Sequence, residues 1–293
     1  MGQRFQRMVR IGLAGLLLLV LAVLALRPLP AVEPAGRKLT RDGMPPNTAG
    51  RRLALVVGNA HYKYGPLDNP AHDAEDMSKL LREIGFAVTS LTDVGLVQMR
   101  QGFDAFARDL RSNDEVIVYY SGHGVQYDGH NFLVPVDAAI ARTDDLEQMT
   151  LSLDAVIEAT SARKPAALVI VLDACRDRST LHGNLRGLAE QRAAPHMLLA
   201  FATSPGTTAS DGWGRNGLYT KHLLKHLGQP GATVEEVFKR VRLGVMEESE
   251  EQQVPMESSL LVRNLVLVPS APVSAVAQSE AWMAGASESQ LRV

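Results

Sequence analysis

EVIVYYSGHG, residues 115–124, decides the fold: six residues rich in β-branched and aromatic side chains run without a break into Ser-Gly-His-Gly. A short continuous apolar run of this kind reads as a strand buried on both faces. RLALVVGN (52–59), AALVIVL (166–172) and MLLAFAT (197–203) repeat the signal, AVTSLTD (87–93) reads as a further strand, NFLVPVDA (131–138) adds a short extended piece, and SLLVRNLVLV (259–268) reads as the last strand. Helical patterns lie between them. Asn69 as N-cap and Pro70 in the first turn open a helix whose apolar face is Met77, Leu80, Leu81 and Ile84, with Gly85 at its end. Val97, Phe103, Phe106 and Leu110 mark a second, and further helices are expected near 152–163, 217–228 and 233–247. Strands alternating with helices predict an α/β fold with a mainly parallel central sheet and helices on both faces. In such sheets functional loops lie beyond the carboxyl ends of the strands, where His123 follows EVIVYY and Cys175 follows AALVIVL.

Of the 293 residues 46% are hydrophobic, enough for a substantial core, and 30 basic against 32 acidic residues leave a net charge of -2. No basic stripe stands out, so nucleic acid is not an expected partner. A single cysteine excludes an internal disulfide and any multi-cysteine zinc site. Arg4, Arg7 and Arg10 precede the apolar stretch IGLAGLLLLVLAVLAL (11–26), the order of an export signal. Sixteen helical residues fall slightly short of a bilayer core, so residues 1–27 read either as a cleaved signal peptide or as a short membrane anchor. Both place the folded part outside the cytoplasm, periplasmic or held at the inner membrane. Residues 28–50 read as a proline-rich linker, 51–268 as the folded domain and 269–293 as a low-complexity tail.

Cys175 has two readings. A lone free cysteine is by default a small core hydrophobe. Against that, the apolar run stops at Asp173, which predicts Cys175 just past the strand beside Arg176, Asp177 and Arg178, reachable and electrostatically tunable. A histidine can take the proton of such a thiol and later deliver it to a leaving amine, and His123 precedes Cys175 by 52 residues. Gly122 and Gly124 leave room for backbone to approach a substrate.

YYSGHG (119–124) together with LDACRD (172–177) resembles the caspase-like cysteine peptidases, and more closely their bacterial metacaspase-like branch. The resemblance extends over 51–268 and includes NPAHDAEDM, NFLVPVDA, AFATSPGTTASDG and GLYT. It implies a caspase-like sandwich with a large-subunit-like part at about 51–180 and a small-subunit-like part at about 197–268. It also implies a cysteine endopeptidase with a His123/Cys175 dyad and an oxyanion hole formed by the backbone N–H groups of Gly124 and Cys175. A caspase signature carries glutamine two residues before the cysteine and glycine two after; here Asp173 and Asp177 stand there. By its resemblance to metacaspases, Asp173 would line the specificity pocket with Asp73, Ser121 and Asp211 and select a substrate Arg or Lys. Each has a plainer role open to it: Asp73 favoured by a helix dipole, Asp173 capping its strand, Asp211-Gly212 forming a turn.

The expected partner is a peptide or protein substrate, with the membrane engaged only through the N-terminal segment. A competing reading is a non-catalytic caspase-like scaffold that binds basic peptides or partner proteins. His222 and His226 in KHLLKH read as a solvated helix face with Lys221 and Lys225 rather than a metal pair, and His130, His182 and His196 as surface residues. The arginine-bearing stretch 176–196 reads as a solvated loop. No phosphate-binding glycine motif is present. Many metacaspases use calcium, but Asp177 alone assembles no acidic cluster, so no cofactor or metal is expected.

Overall fold

The computed structural model describes residues 50–175, 188–204 and 214–270, with Cys175 as backbone only. Its strands are β1 (Arg52–Gly58), β2 (Ala87–Thr92), β3 (Glu115–Tyr127), β4 (His130–Leu133), β5 (Leu151–Ser152), β6 (Ala167–Cys175), β7 (Met197–Phe201) and β8 (Met256–Ser259). Helices longer than a single turn are α1 (Pro70–Glu83), α2 (Leu96–Asp109), α3 (Leu153–Ser161), α4 (Leu218–His226) and α5 (Val234–Glu248). The main sheet has the order β2-β1-β3-β6-β7-β8, parallel throughout except for the antiparallel edge strand β8. β4 and β5 extend from β3 as an antiparallel ribbon.

The two-residue period of a strand divides the core. Ala54 and Val56 of β1, with Tyr119 of β3 and Val169 and Val171 of β6, face Met77 and Leu81 of α1, Leu223 of α4 and Val237, Phe238 and Val241 of α5. Leu55 and Val57, with Val118, Tyr120 and Ile170, face Met99, Phe103 and Phe106 of α2 and Leu153 and Val156 of α3. Both faces of the inner strands β1, β3, β6 and β7 are therefore covered, which is why they read as apolar runs, whereas the edge strand β2 is largely exposed.

Four local expectations change. β3 does not end at Tyr120 but continues through SGHG to Tyr127, because residues 124–127 pair with β4. β6 runs to Cys175 instead of stopping at Asp173, because 173–175 pair with 121–123 of β3. The last strand is MESS (256–259) rather than 259–268: it pairs with Leu198–Phe201 of β7, Leu260 adds a bond to Met197 O at 2.8 Å, and the residues beyond turn to the start of α5, with Leu265 O accepting from Val234 N and Val266 bridging Thr233. In α2 the buried residue of the first turn is Met99, while Val97 is exposed.

His222 also departs from expectation. It is buried rather than solvated, because α5 offers it a notch: a Cβ at Gly244 would overlap the His222 ring. Its Nε2 lies 3.0 Å from Glu248 of α5. His130 and His196 are exposed, and His182 lies outside the described residues. Among the described residues no helix is long and apolar enough to cross a membrane, and no three His, Cys, Asp or Glu side chains lie close enough to hold a metal ion. The segment 1–49, the tail beyond 270 and most of the 176–196 stretch lie outside the described residues.

Candidate active site

The segment between β1 and α1 builds one wall of the site. Asn59 is fully buried; its backbone N–H donates to Ser121 O at 2.9 Å, and its side-chain oxygen accepts from Val94 N at 3.0 Å. Asp93 takes a positive φ of 52° and accepts from the backbone N–H groups of Ala60 at 2.8 Å and His61 at 2.9 Å. Pinned in this way, the segment delivers two groups to His123: the phenol of Tyr62 and the carbonyl of Gly65.

His123 Nε2 lies 2.6 Å from Gly65 O. A carbonyl only accepts, so Nε2 carries the hydrogen, and in the neutral ring Nδ1 holds the lone pair. The Tyr62 ring packs on the imidazole at 4.3 Å between centroids. Its hydroxyl accepts from His123 N–H at 2.8 Å and donates to Val134 O at 3.1 Å, while the Tyr120 hydroxyl donates to His123 O at 2.7 Å. Glycine is required at 122, where φ is 151° and a Cβ would lie 2.5 Å from Tyr62 Oη and 2.9 Å from Tyr120 Oη. A Cβ at Gly122 would meet this chain's own phenols, and one at Gly124 would meet Leu188 and Ala174.

Register brings the two candidate catalytic positions together. β3 and β6 pair Ser121 with Asp173, Gly122 with Ala174 and His123 with Cys175, so His123 and Cys175 stand level on neighbouring strands, about 4.8 Å apart by ordinary strand spacing. Val134 N donates to His123 O at 3.0 Å while the His123 N–H goes to Tyr62 Oη, so this pair keeps one ladder bond, and Gly124 and Leu133 form the following non-hydrogen-bonded pair. The Gly124 amide is therefore directed away from β4, to the side on which β6 ends at Cys175.

Beside this pair the structure assembles carboxylates. Asp73, in the first turn of α1, is 2% exposed; it accepts from Ser121 Oγ at 3.2 Å and from Gly217 N at 3.0 Å. Asp173 accepts from Thr220 Oγ1 at 2.6 Å, and Tyr119 Oη lies 2.5 Å from that same Thr220 oxygen. Because Thr220 donates to the carboxylate, it accepts from Tyr119. Burial, and then the charges of Asp73 and Asp173, hold the Tyr119 phenol neutral far above its ordinary range. Burial followed by the charge of Asp173 does the same to Tyr219. Outside the pocket, Arg215 bridges Asp76 at 2.9 Å and Glu75 at 2.6 Å, and Asn216 donates to Asp76 at 3.0 Å, which ties the segment before α4 to α1.

Asp73, Ser121 and Asp173 are thus brought together beside the His123/Cys175 register. Asp211, Asp177 and the thiol of Cys175 lie outside the described residues. Tyr62, Gly65, Tyr119, Gly217 and Thr220 were not singled out by sequence reasoning. Tyr119 in YYSGHG and Gly217 and Thr220 in GLYT do lie in stretches that carried the resemblance, the last two at the N-cap and in the first turn of α4.

The sequence model of the Caspase domain matches residues 51–266. The Homo sapiens mucosa-associated lymphoid tissue lymphoma translocation protein 1 is 28% identical over 209 residues, a match covering 67% of this chain and 25% of the relative. Its Mus musculus homolog is 28% identical over 199 residues, covering 67% and 22%. The chain therefore spans about a quarter of the length of these relatives. Among solved structures, caspase-1 from Spodoptera frugiperda superposes with a TM-score of 0.53 at 19% identity, covering 77% of this chain and 92% of that one. Pro-sf-caspase-1 superposes with a TM-score of 0.55 at 18% identity, covering 76% and 93%. The sheet order, the level His123/Cys175 pair and the match over residues 51–266 lead to one conclusion: the chain belongs to the caspase-domain family of cysteine peptidases.

Proposed function

We propose that this chain is a cysteine endopeptidase that hydrolyses peptide bonds after Arg or Lys, with His123 and Cys175 as its catalytic pair. The observation that carries the reading is the register, which sets His123 level with Cys175 and Ser121 level with Asp173, so that chemistry and selection share two adjacent strand ends. In the first step the Cys175 thiol gives its proton to His123 Nδ1 and the thiolate attacks the scissile carbonyl. The oxyanion is received by the N–H groups of Gly124 and Cys175. The imidazolium then returns the proton to the leaving amine, and an acyl-enzyme remains. A water deprotonated by His123 attacks that thioester, the acid is released and the thiol is restored. Asp73 and Asp173, joined by Ser121, favour a cationic side chain before the cleaved bond through charge-assisted hydrogen bonds; an aspartyl side chain would meet like charge.

Turnover of arginyl, lysyl and aspartyl reporter peptides by the purified protein tests this. Arg and Lys substrates are expected to be cleaved and the Asp substrate not, with Cys175→Ala and His123→Ala each abolishing turnover because the two act as one unit. Basic peptides bound but never cleaved would identify a scaffold and overturn the reading. The basic-then-apolar order of residues 4–26 supports export, so a reporter fused after residue 268 is expected to be active only beyond the inner membrane. A fully active cytoplasmic reporter would refute export.

A further inference from the structure

Gly217 stands at the start of α4 with φ −58° and ψ 150°, a conformation open to every residue, so nothing in the backbone calls for glycine there. Serine, threonine, asparagine or aspartate would serve at least as well as a helix N-cap. What distinguishes the position is its surroundings. Among the described residues, a Cβ at 217 would have only two neighbours within 4 Å, Asp73 Oδ2 at 3.3 Å and Asp173 Oδ2 at 3.5 Å. The missing side chain therefore leaves a space bounded by one carboxylate from α1 and one from the end of β6. Both carboxylates are held in place by hydrogen bonds: Asp73 Oδ2 accepts from Ser121 Oγ and its Oδ1 from the N–H of Gly217 itself, and Asp173 Oδ2 accepts from Thr220, which in turn accepts from Tyr119.

We propose that Gly217 is a specificity-determining residue: its lack of a side chain keeps the gap between Asp73 and Asp173 wide enough for a guanidinium. The inference rests on the pocket assignment made above and deepens it. A guanidinium is a flat fork that engages two carboxylates at once and needs width, whereas an ammonium is a compact point charge. A methyl group at 217 fits in ordinary or slightly tight contact with both oxygens, so it leaves the fold intact while occupying the place where a fork would lie. Its effect should fall on guanidinium ligands far more than on ammonium ligands.

The test reads the pocket directly, without turnover. Dissociation constants of agmatine and cadaverine, which carry the arginine and lysine head groups, are measured for the full chain, for Gly217→Ala and for Gly217→Ser. Serine occupies the same space and is a favoured N-cap, so weaker binding in that variant cannot be ascribed to a weakened helix. Agmatine binding is expected to weaken roughly tenfold or more in both variants and cadaverine binding clearly less, with unchanged thermal midpoints. Equal loss of both ligands, unchanged agmatine binding in either folded variant, or no agmatine binding to the wild-type chain would overturn the inference. Peptide turnover is scored separately: agmatine binding that depends on Gly217, in a chain that cleaves no arginyl peptide, would sink the proposed function and leave this inference standing.

Discussion

Tyr62, Gly65, Tyr120 and Val134 all hold His123 and do no chemistry of their own, and Tyr62 is the simplest to test. Its hydroxyl accepts the His123 N–H at 2.8 Å in a partly buried setting, and its ring packs on the imidazole. Tyr62→Phe keeps the ring and removes the acceptor, leaving that N–H without this partner at a cost of about 1–3 kcal/mol. If the strain is relieved by a shift of His123, kcat should fall roughly tenfold or more with KM nearly constant, since the pocket carboxylates are untouched. A change confined to KM, or a loss of thermal stability with kcat intact, would assign Tyr62 to packing alone. Tyr62 was illegible in the sequence because its partner lies 61 positions away and is reached only once β1 and β3 pair. His123 was legible because a histidine between two glycines after an apolar run has few plainer uses.

At the scale of elements, the β3 to β4 ribbon positions the histidine and the Gly124 amide. The apolar part of β3 was readable, but its continuation was not, because SGHG has no strand propensity of its own and extends only through pairing of 121–123 with β6 and of 124–127 with residues 130–133. The same holds for the end of β6, where 173–175 are strand only because 121–123 lie beside them. Gly122 joins the two halves of β3. Gly122→Ala would force a side chain into φ 151° and against the Tyr62 and Tyr120 hydroxyls, neither of which can retreat without releasing His123 N–H or His123 O. We expect this variant to lose at least tenfold in kcat and to melt at a lower temperature. Wild-type values of both would show that the ribbon does not set the histidine.

Across the whole molecule, carboxylates tie neighbouring elements together at several points, and this fixes how the protein responds to acid. Asp76 is held below its ordinary 3.8 by its hydrogen bond to Arg215, which joins α1 to the segment before α4. For Asp114, burial pushes upward but is outweighed by Arg51 and the Arg111 N–H, which tether the entry to β3. The Thr233 N–H lowers Glu236 in the capping box of α5, and Lys221 of α4 lowers Glu248 of α5. A carboxylate depressed in the folded state binds fewer protons there than in the unfolded chain, so its contribution is present above the unfolded value and is lost as pH falls through the folded one. With ordinary values of 3.8 for Asp and 4.5 for Glu, the loss begins below about pH 4.5 and deepens below 3.8. His130 acts in the opposite sense: Asp154 raises it above 6.5, so its contribution is complete below 6.5 and disappears as pH rises past the folded value. Thermal midpoints should therefore be highest between about pH 5 and 6.5 and fall steeply below pH 4. His130→Ala should flatten only the decline on the alkaline side. The ties lost in acid join helices to one another and brace the entries to β1 and β3, while the two apolar faces stay buried, so the far-ultraviolet circular dichroism should outlast the fall in midpoint. A midpoint that holds or rises from pH 5 to pH 3 would show that these ion pairs contribute nothing to holding the layers together.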